Sequence, residues 1–276
     1  MRLALAFALL TTTATAQGTC GRDDDACEVP LGTYRAALPE VEVDGPHPAI
    51  IFLHGAGGTG RGTLGMTGTI DALTGRGYVV LAPDGIGREG RGGGFWSFLP
   101  ESQRPRLRDE RTFFDEIVAD AVDRFDVDAD RVILSGFSAG AFMVTTIACE
   151  TPDAFAAYAP VSGGFWDPIP ESCAGPVRLF HTHGWTDGTV PLEGRSLGGG
   201  RFQQSDILEG LHRFRDANGC EATNPSGHRT TDRFLRRYWT CDEGSALEFA
   251  LFPGGHGVPN GWAGMMLDWF EADTGG

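Results

Sequence analysis

A chain of 276 residues has room for one large α/β domain. Its 41% hydrophobic content, with 18 Phe and 6 Trp, supplies a sizeable core and excludes a disordered or collagen-like chain despite 41 Gly. The formal net charge is −15 and all 22 basic residues are Arg; no Arg stripe is interleaved with aromatics, so neither nucleic acid nor an anionic membrane surface is an expected partner.

At the start of the chain Arg2 gives a short positive region, residues 3–10 an apolar run, and Ala14-Thr15-Ala16 a small-residue cleavage signal before Gln17. This reads as a secretory signal peptide over residues 1–16, followed by a single domain over 17–276 and export to an extracellular or periplasmic location. The apolar run is shorter than the roughly 20 residues of a bilayer span, and no later segment is long enough without charge or Gly, so no membrane span is expected. All six cysteines follow the leader, and an even count in an exported chain suggests disulfides. Pairing neighbours in sequence predicts Cys20–Cys27, Cys149–Cys173 and Cys220–Cys241.

Taken in order, residues 33–38, 49–53 and 78–82 read as strands punctuated by Gly and Pro. Residues 113–125 carry an apolar stripe at helical spacing, with acidic residues on the other face. A strand at 131–134 runs into a helix at 139–149. Then come a strand at 177–180, a helix at 205–217, strands at 233–239 and 247–252, and a helix at 260–271. This βαβ rhythm predicts an α/β fold with a mostly parallel, twisted sheet and helices on both faces. The Gly-rich stretches 90–94 and 198–200 read as flexible surface loops.

Chemistry enters at Gly136-Phe137-Ser138-Ala139-Gly140, a G-x-S-x-G pattern between a strand and a helix. That context is a nucleophile elbow, a tight turn that holds the Ser138 hydroxyl out at the end of its strand. An acyl-enzyme mechanism also needs an oxyanion hole. His54-Gly55-Ala56-Gly57-Gly58 follows a strand as such a loop does, which assigns the backbone donors to Ala139 and Ala56, with Gly57 as the alternative to Ala56. The same stretch spells G-x-G-x-x-G from Gly55 to Gly60, with Asp84 as the acidic residue, so a dinucleotide site competes; the spacing of 84 − 55 = 29 residues exceeds the usual roughly 20. A non-catalytic binding protein on the same fold is the other alternative.

The base must follow the acid in the chain order Ser, Asp, His. His212 lies in an amphipathic run and His228 in a polar segment. His256 stands in Pro253-Gly254-Gly255-His256-Gly257, directly after a strand, where a Gly-rich loop can project the imidazole over the sheet edge. The acid reads as Asp187, also directly after a strand. His181-Thr182-His183 resembles a metal pair but lacks a third ligand at short spacing. No metal or organic cofactor is implied. Phe95, Trp96, Phe98, Phe165 and Trp166 are candidates for an aromatic pocket wall, each with core packing as its alternative.

These motifs resemble those of the extracellular α/β-hydrolase esterases that include polyhydroxybutyrate depolymerases and feruloyl esterases. The resemblance covers nearly the whole mature chain, through Leu53-His54-Gly55, the run from Asp128 to Gly140, His183-Gly184 with Asp187 and Val190-Pro191, Gly254-Gly255-His256, and the Cys220 and Cys241 segments. It implies a secreted serine esterase with Ser138, Asp187 and His256 as catalytic residues, and an ester of a hydroxyalkanoate oligomer or of an aromatic acid as substrate. In one departure, the aromatic residue that often follows the catalytic histidine is here Gly257.

Overall fold

The computed structural model describes residues 20–21, 25–41, 43–88, 91–221 and 223–272, so the signal-peptide reading of residues 1–16 lies outside the described residues. In chain order the elements are β1 (Cys27–Val29), β2 (Gly32–Ala37), β3 (His47–Leu53), α1 (Gly60–Leu64), α2 (Thr67–Thr74), β4 (Val79–Pro83), β5 (Ile86–Arg88), β6 (Arg91–Phe95), α3 (Glu110–Phe125) and β7 (Val127–Phe137). They continue with α4 (Ala139–Glu150), β8 (Ala157–Val161), β9 (Arg178–Gly184), β10 (Arg195–Leu197), β11 (Phe202–Gln204), α5 (Ile207–Ala217), β12 (Gly227–Thr231), β13 (Phe234–Trp239), β14 (Ala246–Phe252) and α6 (Trp262–Ala272).

Parallel strands covered on both faces read as unbroken apolar runs. β4 and β8 are buried at every position, and β3, β9 and β14 at every position but the first. These strands and β7 form the parallel centre of a ten-stranded sheet of order β1-β2-β4-β3-β7-β8-β9-β14-β13-β12, whose outer strands pair antiparallel. One face packs on α3, α4 and α5 through residues such as Phe114, Val144 and Phe214; the other packs on α1, α2 and α6 through Leu64, Ile70 and Trp262. Strand order reverses between β3 and β7, and in open α/β sheets the crevice beyond the carboxyl ends of such strands is where ligands bind.

Caps set several boundaries. Asp109 accepts the Thr112 N–H, so α3 begins at Glu110, ahead of its apolar stripe, and Asp206 caps α5 through the Leu208 and Glu209 N–H groups. The three disulfides join Cys20 to Cys27, Cys149 to Cys173 and Cys220 to Cys241. Two expectations need correction. Residues 91–94 of the glycine stretch read as a loop belong to β6, which pairs antiparallel with β5, and 198–200 form a 3-10 turn between β10 and β11. The buried strand β8 carries no alternating pattern, and Pro160 argues locally against a central strand.

Candidate active site

The elbow is built by close packing at the end of β7. Ser138 has φ 56° and ψ −115°, outside the ordinary allowed regions for a residue with a Cβ. Its N–H donates to Val161 O of β8 at 3.0 Å, and its carbonyl accepts the Phe142 N–H at 3.0 Å, so both neighbours hold the strained turn. Glycine is required beside it: a Cβ on Gly140 would stand 2.3 Å from Leu53 O, and one on Gly136 would stand 2.8 Å from the Gly140 backbone. Ala139 opens α4, where the first N–H groups have no partner within the helix.

The sheet then brings together three residues far apart in sequence. His256 Nε2 lies 2.9 Å from Ser138 Oγ, and His256 Nδ1 lies 2.8 Å from Asp187 Oδ2. The other Asp187 oxygen accepts the Thr189 N–H at 2.9 Å and the Val190 N–H at 2.8 Å. Burial alone would raise the Asp187 carboxyl, but the hydrogen bonds from His256 and from the Val190 and Thr189 amides outweigh it and hold the carboxyl below its ordinary value. The acid and base loops are zipped together, with the Thr186 N–H on Gly254 O at 3.0 Å and Gly184 so close to Gly255 that a Cβ would fall 2.3 Å from its oxygen. His212 is exposed on α5 and His228 is exposed on β12 opposite Arg237; neither joins this arrangement.

The glycine loop after β3 lies against the elbow, where a Cβ on Gly55 would come 3.4 Å from Ser138 Cβ. Its bracing was not legible in the sequence. The Gly57 N–H donates to Gly94 O at 2.9 Å, and the Gly94 N–H to Gly58 O at 2.8 Å, so β6 pairs with the loop. His54 is buried beneath, and its Nε2 accepts the Gly85 N–H at 2.9 Å. The imidazole proton therefore sits on Nδ1 and is donated to Gly55 O at 2.7 Å; burial lowers the pKa of this ring and keeps it neutral. Asp84, the acid of the dinucleotide reading, is spent on the scaffold: its carboxylate accepts the Gly60 N–H at 2.7 Å and the Thr33 hydroxyl at 3.0 Å. His181 and His183 likewise face each other, Nε2 to Nδ1, at 3.2 Å.

Phe95, Trp96, Phe98 and Trp166 line a cavity of about 270 Å³ together with Leu107 and Phe202. Phe98 and Trp166 also pack on Phe142, one turn beyond Ser138 on α4, with ring centroids 5.3 and 5.4 Å away. Phe165 takes its core alternative, buried and stacked on Phe214 of α5 at 5.7 Å.

Residues 40–205 match the model of the family described as phospholipase/carboxylesterase, a span that includes Ser138 and Asp187 and ends before His256. Among curated proteins the chain is similar to feruloyl esterase D of Neurospora crassa, at 29% identity over 154 residues, covering 52% of this chain and 46% of that one. A shorter stretch of 48 residues is 48% identical to poly(3-hydroxyalkanoate) depolymerase C of Paucimonas lemoignei and covers 17% of this chain and 10% of the depolymerase. The chain thus spans about half the length of the first protein and a tenth of the second. Acetyl xylan esterase from Aspergillus awamori shares the fold, with a TM-score of 0.61 and 16% identity over 87% of this chain and 93% of that one.

Proposed function

The chain belongs to the phospholipase/carboxylesterase family and has the α/β-hydrolase fold, and on that premise we propose that it is a serine carboxylic-ester hydrolase working through an acyl-enzyme. The observation that carries the reading is the continuous hydrogen-bonded line from Ser138 Oγ through both nitrogens of His256 to Asp187 Oδ2. Ser138 Oγ attacks the ester carbonyl while its proton passes to His256 Nε2. The carbonyl oxygen becomes an oxyanion, which the Ala139 and Ala56 N–H groups stabilise; the Gly57 N–H is already engaged by Gly94. His256 then gives its proton to the leaving alcohol as the C–O bond breaks, and Asp187 holds the imidazolium. Water enters, loses a proton to His256 and attacks the acyl carbon, and Ser138 departs with that proton.

The aromatic cavity beside α4 supports a neutral ester with an apolar or aromatic acyl part, of the hydroxyalkanoate or aromatic-acid class suggested by the names of the relatives. The acidic surface opposes anionic esters. Three disulfides support residence in an oxidising, secretory compartment, and one sheet running from β1 to β12 supports a single catalytic domain. A fluorophosphonate probe tests the chemistry. Wild type labels, and Ser138→Ala and His256→Ala do not; a folded wild type that resists labelling and hydrolyses no ester overturns the reading. Rates on methyl ferulate, short hydroxybutyrate oligomers and short-chain acyl esters then rank the substrates.

A further inference from the structure

Strand β9 places His181 and His183 on one face of the sheet, since side chains two apart share a face. Both imidazoles are buried, His183 completely, and their rings stack with centroids 5.5 Å apart. Neither takes part in the proposed reaction. Their hydrogen bonds nevertheless run to Val190, whose own N–H donates to the acid. His183 Nε2 lies 2.8 Å from Val190 O, and a carbonyl only accepts, so Nε2 carries the proton and Nδ1 is left with its lone pair. His181 Nε2, 3.2 Å from that Nδ1, must then be the donor, which settles both tautomers.

The Val190 residue is thereby held from two sides. Its carbonyl accepts from His183 while its N–H donates to Asp187 Oδ1, an oxygen that also takes the Thr189 N–H. That leaves Asp187 Oδ2 for His256. We propose that His183, with its tautomer set by His181, is a positioning residue that clamps the Val190 peptide so that Asp187 presents Oδ2 to His256; this rests on the serine-esterase reading. A neutral donor is what the place requires. His183 Nε2 also stands 3.7 Å from Asp187 Oδ2, so a cation there would compete with the His256 imidazolium for the same oxygen. Burial lowers the pKa of both imidazoles and keeps that competitor uncharged at neutral pH. The titratable groups facing His183 are His181 on its own strand, Asp187 on the following loop and His256 from the loop after β14; Phe249 of β14 packs edge-on against His181.

Three variants test the clamp with a short-chain p-nitrophenyl ester across pH. His183→Leu leaves Val190 O without its donor, and kcat should fall about 10- to 100-fold with KM unchanged, as for a displaced catalytic group. The acid limb of kcat/KM should also move to lower pH, because an Asp187 that has turned away stabilises the His256 imidazolium less. A mere loss of packing would not move that limb. His183→Gln carries an amide N–H where Nε2 stands and should restore most of the lost rate and the original limb. His181→Phe keeps the bulk and removes the donor to Nδ1, so it should shift the limb in the same direction by a smaller amount, and it decides the matter where His183→Leu does not fold. Equal losses in the Leu and Gln variants, or a wild-type limb in both His183→Leu and His181→Phe, overturn the proposal. Failure of the esterase reading looks different: the wild type itself then neither hydrolyses ester nor labels at Ser138.

Discussion

Asp187 shows how much of a catalytic assignment sits in the two oxygens of one side chain. Oδ1 is committed to the Thr189 and Val190 amides and Oδ2 to His256 Nδ1, so each oxygen has a different task. Asparagine fits the same space but cannot do both. Its carbonyl oxygen would stay with the two amides, which only donate, and its NH₂ group would face His256. A donor opposite Nδ1 selects the imidazole tautomer protonated on Nε2, and that nitrogen can no longer accept from Ser138. Asp187→Asn should therefore lower kcat at neutral pH by about 10⁴-fold, with a small change in thermal midpoint because the loop amides remain paired. Steady-state rates and a melting curve on the same preparation check this. An Asn variant within about tenfold of wild type would take Asp187 out of the mechanism.

At the scale of elements, the strand that braces the proposed oxyanion loop has glycine at three of its five positions. Gly93 has φ +81°, and a Cβ there would fall 1.9 Å from Gly57 O, inside the pairing that holds the loop. Gly93→Ala should push the loop off its position and cost about 10²-fold in kcat, the scale of losing one oxyanion donor, with KM for a small ester little changed. Gly68→Ala on α2, where a Cβ meets open space, serves as the control and should behave as wild type; equal rates in the two variants would refute the bracing role. The same strand marks where sequence reading stops. Periodicity needs side chains, so β3, β4, α3 and α5 were legible within a few residues, whereas β6 has too few side chains to form a pattern. β8 failed for the opposite reason, being apolar throughout with Pro160 inside it. The site divides in the same way. Ser138, Asp187 and His256 each stood in a recognisable turn after a strand, but their meeting across 118 and 69 residues depends on the order β7-β8-β9-β14, which no local motif encodes. The hydrogen bonds of His54 and the bond from His183 to Val190 O were hidden because each partner is a backbone atom, and backbone atoms leave no trace in residue identity.

For the whole molecule, the buried imidazoles couple the site to global stability. His181 and His183 are held neutral by burial, each with its pKa below the ordinary 6.5, whereas in the unfolded chain both protonate near that value. Below about pH 6.5 the unfolded state binds more protons than the folded one, so stability is complete above that pH and is lost as pH falls towards the folded values. Asp187 adds loss of the same sign further down. Its carboxyl lies below 3.8 in the fold, so its contribution is present above that value and disappears as pH drops through the folded one. The net charge of −15 works the other way, since protonating exposed carboxylates relieves self-repulsion. His181→Phe separates the two effects because it keeps nearly all of the surface charge and removes one buried imidazole. Unfolding free energies from denaturant titrations at pH 7, 6 and 5 should fall more steeply for wild type than for this variant. The difference in slope can reach about 1.4 kcal/mol per pH unit, the limit set by one proton. Parallel pH dependences would mean that His181 is charged in the fold or shielded in the unfolded chain, and would remove the buried pair from the acid sensitivity of the molecule.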